Sequence, residues 1–185
     1  MKSKKCLRIL AAVFYISLFA CGQSTNKQTN TEMDSINIHV TSKKFGDNIP
    51  DPTGYINDYE NIFTDNQKII LDSLLKAFDK QNTIEIAILT LDSSQTTALE
   101  FDDLVLKIAK KWGVGKKNKD NGILIGLSSS LRTMRIQNGF GIEKVLTNEY
   151  TQKIINIYCI PQFKKGDYFE GTKQCIYALI DKLKQ

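Results

Sequence analysis

The chain has 185 residues, of which 42% are hydrophobic and 24% are charged, a composition typical of globular proteins. This length suits one domain with appendages and excludes a large multidomain assembly. Four of the 25 basic residues lie within the first eight positions, so residues 21–185 carry 21 basic against 20 acidic side chains. Such a near-neutral remainder does not attract phosphate backbones, and we expect no nucleic-acid binding.

The histidine content limits the chemistry further. The one histidine, His39, lies in a polar stretch ahead of the globular region. Ser-His-Asp and Cys-His catalysis both need an imidazole beside the nucleophile, and zinc sites rely on histidine and cysteine, so we expect neither. A bound metal would have to use carboxylate, amide and carbonyl oxygens, which favours Ca²⁺ or Mg²⁺.

The N-terminus has the pattern of an export signal. Basic residues precede a twelve-residue apolar run, Ile9 to Ala20, which is too short to span a bilayer but suits a secretory signal. The sequence Leu18-Phe19-Ala20-Cys21 resembles the lipobox of bacterial lipoproteins, whose cysteine is acylated and becomes the new N-terminus. We therefore predict a signal peptide over residues 1–20 and a lipid anchor on Cys21. An ordinary signal peptide or an uncleaved anchor is the alternative.

This anchor predicts where the domain resides. The protein would be attached to a membrane of the bacterial cell envelope, with its domain in the periplasm. Residues 22–48 are polar and lack apolar periodicity, so residues 21–48 are predicted to be the lipidated cysteine and a flexible tether. Residues 49–185 are predicted to form the folded domain.

Two cysteines remain in that domain, Cys159 and Cys175. An exported protein permits a disulfide between them. The alternative, which we favour, is a pair of buried apolar thiols, because the sequence spacing contains no information about their geometry.

The first half of the domain is predicted to contain a helix, a strand and a second helix. A capping box at Thr64 begins a helix over about 65–80. An aliphatic run at 84–91 predicts a buried strand. A second capping box, at Thr97, predicts a helix that ends at Gly113.

The second half is predicted to contain two strands and two helices. Strands are expected at 122–127 and 132–137, joined by a tight turn. A third helix is expected to begin after Thr147 and to end at Pro161, and a fourth covers about 168–184.

The order of elements predicts an α/β fold. The strand–helix–strand unit from 84 to 127 requires parallel strands with a right-handed crossover, and the strand after the tight turn must be antiparallel. The architecture expected is a three-layer α/β/α sandwich with a small mixed β-sheet. One edge of this sheet is predicted to collect polar side chains from the loops at 114–121 and 138–143. They are Lys116, Lys117, Lys119, Asp120, Asn121 and Glu143.

Five motifs carry a resemblance to a known family. They are Gly54–Tyr59, Trp112–Lys116 with Asp120–Leu124, Arg135-Ile136, Gly139–Glu143 and Pro161–Tyr168. Their order and spacing resemble the TPM domain, which is named for a thylakoid-lumen phosphatase-like protein, a photosystem-associated lumenal protein and a receptor-modulating protein. The resemblance covers about residues 50–183. It implies a compact α/β/α sandwich, which agrees with the topology predicted above.

The resemblance also implies functional residues. Some members of the family bind divalent cations or have been described as acid phosphatases, and others are non-catalytic auxiliary proteins. It implies Asp58, Asp120, Asn121 and Glu143 as ligands of Ca²⁺ or Mg²⁺, with the three carboxylates as catalytic residues. Asn148 departs from the pattern, because an aspartate is expected there.

Two functions therefore remain open. In a metal-dependent phosphomonoesterase, the cation would polarise the phosphate and lower the pKa of a bound water, while Lys116 and Arg135 hold phosphate oxygens. The alternative is a non-catalytic interaction module that supports envelope protein complexes. A cation bridging Asp58 and Asp120 would favour the enzyme, whereas widely separated carboxylates would favour the module. Asn121-Gly122 also fits a simple turn, and Asp58 also fits a turn cap.

Overall fold

In the computed structural model, a four-stranded mixed sheet separates two groups of helices. Residues 45–46, 48–116 and 118–185 are described, and they belong to a unit that runs from Val40 to Gln185. The predicted signal peptide, Cys21, His39, nearly all of the predicted tether and Lys117 lie outside the described residues. No helix in the described part of the chain has the length and hydropathy needed to cross a membrane.

The sheet contains the three predicted strands in the predicted topology, and it has a fourth, three-residue strand at its edge that the sequence pattern did not predict. Its strands are β1 (Ile56–Asp58), β2 (Ile86–Thr90), β3 (Ile123–Ser128) and β4 (Thr133–Asn138). They lie in the order β1-β2-β3-β4, with the first three parallel and β4 antiparallel to β3. The register pairs Asp58 with Thr90 and Thr90 with Leu127, so the carboxyl ends of β1, β2 and β3 lie together at one end of the sheet.

Helices cover both faces of the sheet. They are α1 (Asp65–Asn82), α2 (Phe101–Trp112), α3 (Asn148–Ile154), α4 (Ile160–Phe163) and α5 (Tyr168–Leu183), with a π-helical segment, Ile155–Cys159, between α3 and α4. Because successive side chains of a strand point to opposite faces, β2 and β3 contribute to two cores. Ile88 and Ile125 pack in the core with α1, α3 and α5, whereas Leu89 and Leu124 pack in the core with α2. The predicted three-layer sandwich is confirmed.

The helix ends follow their predicted caps in most places. Thr64 forms the complete capping box with Gln67, Thr147 caps α3, and Gly113 ends α2 in a left-handed conformation. The start of α2 differs from the prediction. Thr97 accepts a 3.3 Å hydrogen bond from the Glu100 amide and donates one of 2.8 Å to its carboxylate, and this pair closes a turn ahead of the helix. The helix therefore begins at Phe101.

The predicted end of the third helix at Pro161 is wrong. Helical structure continues through the π-helical segment into α4, which ends at Phe163. Pro161 has no amide hydrogen to donate. It follows directly on the π-helical segment, where hydrogen bonds already depart from the α-helical pattern, since the Ile160 amide donates to the Ile155 carbonyl five residues back.

Both cysteines of the domain are free thiols in the core. Cys159 ends the π-helical segment, and Cys175 lies on α5. A hydrogen bond between the two thiols, together with burial, raises the pKa of Cys175 well above its usual value. The structure thus has the buried-thiol arrangement that we favoured.

Candidate functional site

Four of the six side chains predicted for the site line one cleft. They are Lys116, Asp120, Arg135 and Glu143. The cleft has a volume of about 460 Å³ and lies between the C-terminal half of α2, the outward-facing residues of β4 and the loops at 113–122 and 139–143. We call it the α2–β4 cleft.

Its loop wall depends on close backbone contact between two loops. The Gly139 amide donates to the Gly122 carbonyl at 2.8 Å, and the Gly141 amide donates to the Asp120 carbonyl at 2.9 Å. A Cβ atom added at Gly139 would lie 2.0 Å from that Asp120 carbonyl oxygen, so only glycine fits. The two loops therefore form one continuous wall.

Asn121 holds this wall in place instead of facing the cleft. Its side chain is buried and accepts a 2.9 Å hydrogen bond from the Lys116 amide through Oδ1. Its Nδ2 donates to the Thr83 carbonyl just beyond α1 at 2.6 Å. Both ends of the amide group are thus used for structure, and Asn121 is not placed as a metal ligand.

The ammonium group of Lys116 is also engaged. Its Nζ lies 2.9 Å from the carboxylate of Asp79 on α1, and this hydrogen bond raises the pKa of Lys116. The Tyr55 hydroxyl donates to the same carboxylate at 2.8 Å. Lys116 therefore lines the cleft while its charge is paired with α1.

Arg135 connects β4 to α2. Its Nη1 lies 3.3 Å from the Asp102 carboxylate, and its Nη2 donates to the Gln137 side chain at 2.7 Å. Because Arg135 is only half-buried, its guanidinium remains accessible from the cleft.

Asp120 and Glu143 supply the negative charge of the cleft. Among the residues that the structure describes, neither carboxylate has a hydrogen-bond or ion-pair partner. Phe140 lies on the same wall and is 79% exposed. Phe140 is not among the predicted site residues, although its place between two glycines of a family motif was a usable signal.

Asp58 lies at the opposite end of the sheet. It ends β1 beside Thr90 and Leu127, whereas Asp120 precedes β3 and Glu143 follows β4. The four residue steps from Ile123 to Leu127 correspond to roughly 13 Å of extended strand. A cation contacts its oxygen ligands within about 2.6 Å, so one cation cannot bind both Asp58 and Asp120.

Asp58 is moreover fully occupied within the fold. Its side chain is 2% exposed and lies 3.3 Å from the Lys68 ammonium. The carboxylate accepts hydrogen bonds from the Thr90 hydroxyl at 2.6 Å and from the Ile62 and Phe63 amides at 3.1 Å each. These contacts account for its acceptor positions.

The predicted set of metal ligands is therefore not assembled around one point. No three His, Cys, Asp or Glu side chains in the described part of the chain are grouped so that they could hold a metal ion. Among the described residues, the cleft retains two unpartnered carboxylates, one guanidinium and an exposed aromatic ring, which is an arrangement suited to binding.

Comparisons with a protein-family model and with solved structures agree with the α/β/α fold described above. A model of the TPM domain matches residues 56–182. The chain belongs to the TPM domain family. No curated protein sequence matches it.

Solved structures of similar domains come from several bacteria. The N-terminal domain of a P. gingivalis protein, determined by solution NMR, is 31% identical with a TM-score of 0.63, over 71% of this chain and 82% of that one. The BA42 protein of Bizionia argentinensis is 20% identical with a TM-score of 0.58, over 68% and 83%. An N-terminal domain from Corynebacterium glutamicum is 11% identical with a TM-score of 0.53, over 70% and 79%. The last two share the fold with this TPM domain.

Proposed function

We propose that this TPM domain is a non-catalytic binding module of the bacterial cell envelope and that the α2–β4 cleft contacts a protein partner. The position of Asp58 carries the proposal. Asp58 is one of the three carboxylates predicted to be catalytic, but it is saturated by hydrogen bonds and lies at the other end of the sheet from the other two, Asp120 and Glu143. The acidic residues that a phosphomonoesterase would need are therefore divided between two places.

The composition of the cleft supports a protein partner. Phe140 supplies an exposed aromatic side chain, and the Arg135 guanidinium and the carboxylates of Asp120 and Glu143 line the same cleft. Aromatic and arginine side chains dominate the binding energy of protein interfaces, while charges at the rim select the partner. We expect a partner that buries the Phe140 ring and offers charges of both signs.

The predicted anchor would serve this role. A lipid on Cys21 and the polar tether would hold the domain within reach of membrane-bound partners. Restricting both proteins to one surface raises their effective concentration, so a weak interface is sufficient.

A divalent cation is a second candidate ligand of the same cleft. Asp120 and Glu143 lack partners among the described residues, and carboxylates are preferred ligands of Ca²⁺. Two carboxylates leave most of the coordination to carbonyl oxygens and water. We expect a dissociation constant of roughly 0.1–1 mM, as in weak extracellular calcium modules.

Hydrolysis of a phosphomonoester tests the non-catalytic assignment. The protein for this assay is the unit of residues 40–185, and the P. gingivalis relative was solved in solution as a domain separated from the rest of its chain. We expect only trace hydrolysis of p-nitrophenyl phosphate, unaffected by a chelator and by Glu143→Ala. Turnover that requires a divalent cation and disappears in Glu143→Ala would contradict the proposal.

Site-specific photo-cross-linking tests the partner. A cross-linking amino acid at position 140 in the full chain should capture a defined envelope protein in living cells. Position 99 is the matched control, because Leu99 is 96% exposed but lies outside the cleft. The charge reversal Arg135→Glu should abolish capture at position 140. Equal capture at both positions would show that Phe140 contacts proteins only by collision.

A further inference from the structure

A second cavity lies at the other end of the sheet, where β3 ends and β4 begins. It has a volume of about 540 Å³ and is bounded by residues 127–134 of the sheet and by residues 160–168, which run from α4 to the start of α5. We call it the β3–β4 cavity. Ligands of open α/β sheets bind outside the carboxyl ends of the parallel strands, which is where this cavity lies.

Most of the cavity wall is apolar. Leu127 and Met134 contribute from the sheet, and Ile160, Phe163 and Tyr168 contribute from the helices. The rings of Phe163 and Tyr168 lie 5.1 Å apart with a tilt of 31°. This wall suits a hydrocarbon chain or an aromatic ring, and the volume falls within the range of roughly 300–1,000 Å³ typical of ligand pockets.

The charged side chains that line the cavity are both cationic. Arg132 and Lys164 line it, and no aspartate or glutamate among the described residues does so. Neither cation has an ion pair within the part of the chain that the structure describes.

The acidic side chains near the cavity are engaged elsewhere. Glu60 accepts hydrogen bonds from the Ser129 and Ser130 amides at 2.8 Å each. Asp167 caps α5 by accepting a 2.9 Å hydrogen bond from the Glu170 amide. The positive charge of Arg132 and Lys164 is therefore left for a ligand.

The turn fixes the backbone position of Arg132. The Leu131 amide donates to the buried Ser128 hydroxyl at 3.2 Å, which holds the turn against the end of β3. Arg132 has a φ of 53°, a left-handed conformation in which glycine or asparagine is easier to accommodate.

We propose that the β3–β4 cavity binds an amphipathic anion, that is, an apolar chain or ring with one carboxylate, sulfonate or phosphate group. The apolar part contacts Phe163 and Tyr168, and the anionic group is bound by Arg132 and Lys164. This site shares no lining residue with the α2–β4 cleft, so it does not depend on the function proposed above.

A pair of fluorescent dyes tests the proposal on residues 40–185. Anilinonaphthalene sulfonate has the apolar rings and the negative charge, whereas phenylnaphthylamine has the same rings without the charge. We expect saturable binding of one sulfonate dye per chain, weakened about fivefold to tenfold by Arg132→Gln and by Lys164→Gln. Binding of the neutral dye should be unchanged. Lys153→Gln is the control, because Lys153 is exposed on α3 outside the cavity.

Amide NMR spectra and two competitors complete the test. The sulfonate dye should shift resonances of residues 127–134 and 160–168 and leave those of 139–143 in place. Ile160→Trp, which fills part of the cavity, should weaken binding of both dyes. Displacement of the dye by decanoate would assign the ligand as a free amphipathic acid, and displacement only by phosphatidylglycerol vesicles would assign it as an anionic membrane lipid. The proposal is overturned if neither competes, if Lys153→Gln weakens binding as much as Arg132→Gln, or if the shifted resonances lie elsewhere.

Discussion

The Thr90 hydroxyl on β2 donates a 2.6 Å hydrogen bond to the Asp58 carboxylate at the end of β1. The same carboxylate accepts from the Ile62 and Phe63 amides in the turn that leads to α1. One buried side chain thus joins two strands to the start of a helix. Its loss would remove the partners of several buried donors at once.

Replacement of Asp58 by alanine should therefore lower the free energy of unfolding by about 3 kcal/mol, because it leaves buried N–H and O–H groups without acceptors. Urea denaturation of residues 40–185 measures this change. Asp51→Ala is the matched control, since Asp51 also lies near a lysine, at 3.8 Å, but is 92% exposed, and it should change stability by less than about 0.5 kcal/mol. Equal effects of the two substitutions would refute the structural role.

Sequence reasoning revealed one half of this role of Asp58. The turn-cap alternative is the arrangement found, because the carboxylate accepts from the Ile62 and Phe63 amides. The bond from the Thr90 hydroxyl, 32 positions away, could not be predicted from local sequence. The topology, in contrast, followed from local signals. The Thr64 capping box, the Gly113 stop and the aliphatic runs of β2 and β3 each act within a few residues, so these helices and strands were predictable. The three-residue β1 has no such local signal.

The candidate site was predictable in part for the same reason. The strand–helix–strand unit and the tight turn require the loops at 114–121 and 138–143 to meet, and the structure places Asp120 and Glu143 in one cleft. The side-chain partners were not predictable. The bond from Asn121 to Thr83 and the pairing of Lys116 with Asp79 both depend on how α1 packs beside the loop.

Two glycine substitutions should separate backbone crowding from backbone conformation. Gly139→Ala places a Cβ atom 2.0 Å from the Asp120 carbonyl oxygen and should cost about 3 kcal/mol or more. Gly113→Ala meets no neighbouring atom but must adopt a φ of 61°, which costs about 1 kcal/mol. Thermal and urea unfolding measure the loss of stability in each variant. The close contact between the loops is disproved if Gly139→Ala is the milder change.

Asp120→Asn should weaken Ca²⁺ or Mg²⁺ binding roughly tenfold without unfolding the domain, because one of two carboxylate ligands is lost. Asparagine accommodates the φ of 46° at this position, so stability should change by less than about 0.5 kcal/mol. Calorimetric and NMR titrations of residues 40–185 measure the affinity. The cation is ruled out as a ligand of the cleft if the unsubstituted protein shows no divalent binding at millimolar concentrations.

The stability of the domain should fall at high pH through Tyr55. Burial, and the hydrogen bond to Asp79, raise the pKa of Tyr55 from 10.0 to about 12. The folded state holds the phenolic proton more tightly than the unfolded chain does. The contribution of Tyr55 to the free energy of unfolding is therefore complete below pH 10 and is lost as the pH rises towards 12. Urea midpoints of the unsubstituted protein and Tyr55→Phe should converge over that interval, and a constant difference between them would contradict the assignment.

Cys21→Ser should detach the protein from membranes or leave its signal uncleaved, because acylation precedes signal removal in lipoproteins. Cell fractionation and intact-protein mass spectrometry of the full chain distinguish these two results. Cys6→Ser is the control, because Cys6 lies ahead of the apolar run. The lipoprotein assignment fails if Cys21→Ser changes neither the fractionation nor the mass.

The π-helical segment Ile155–Cys159 has a consequence for sequence comparison. Two pairs of residues five positions apart face the same core. Ile154 and Cys159 are both buried in it. Ile155 is also buried in it, and Ile160 packs against it. In an α-helix, five residues rotate by about 500°, which would turn the second member of each pair well away from the first. The wider turn brings them back into line. A relative that has an ordinary α-helix here must lack one residue, so its alignment with this chain needs a one-residue gap between 155 and 159. Without that gap, the positions of α4 would each be matched to a neighbour on a different face.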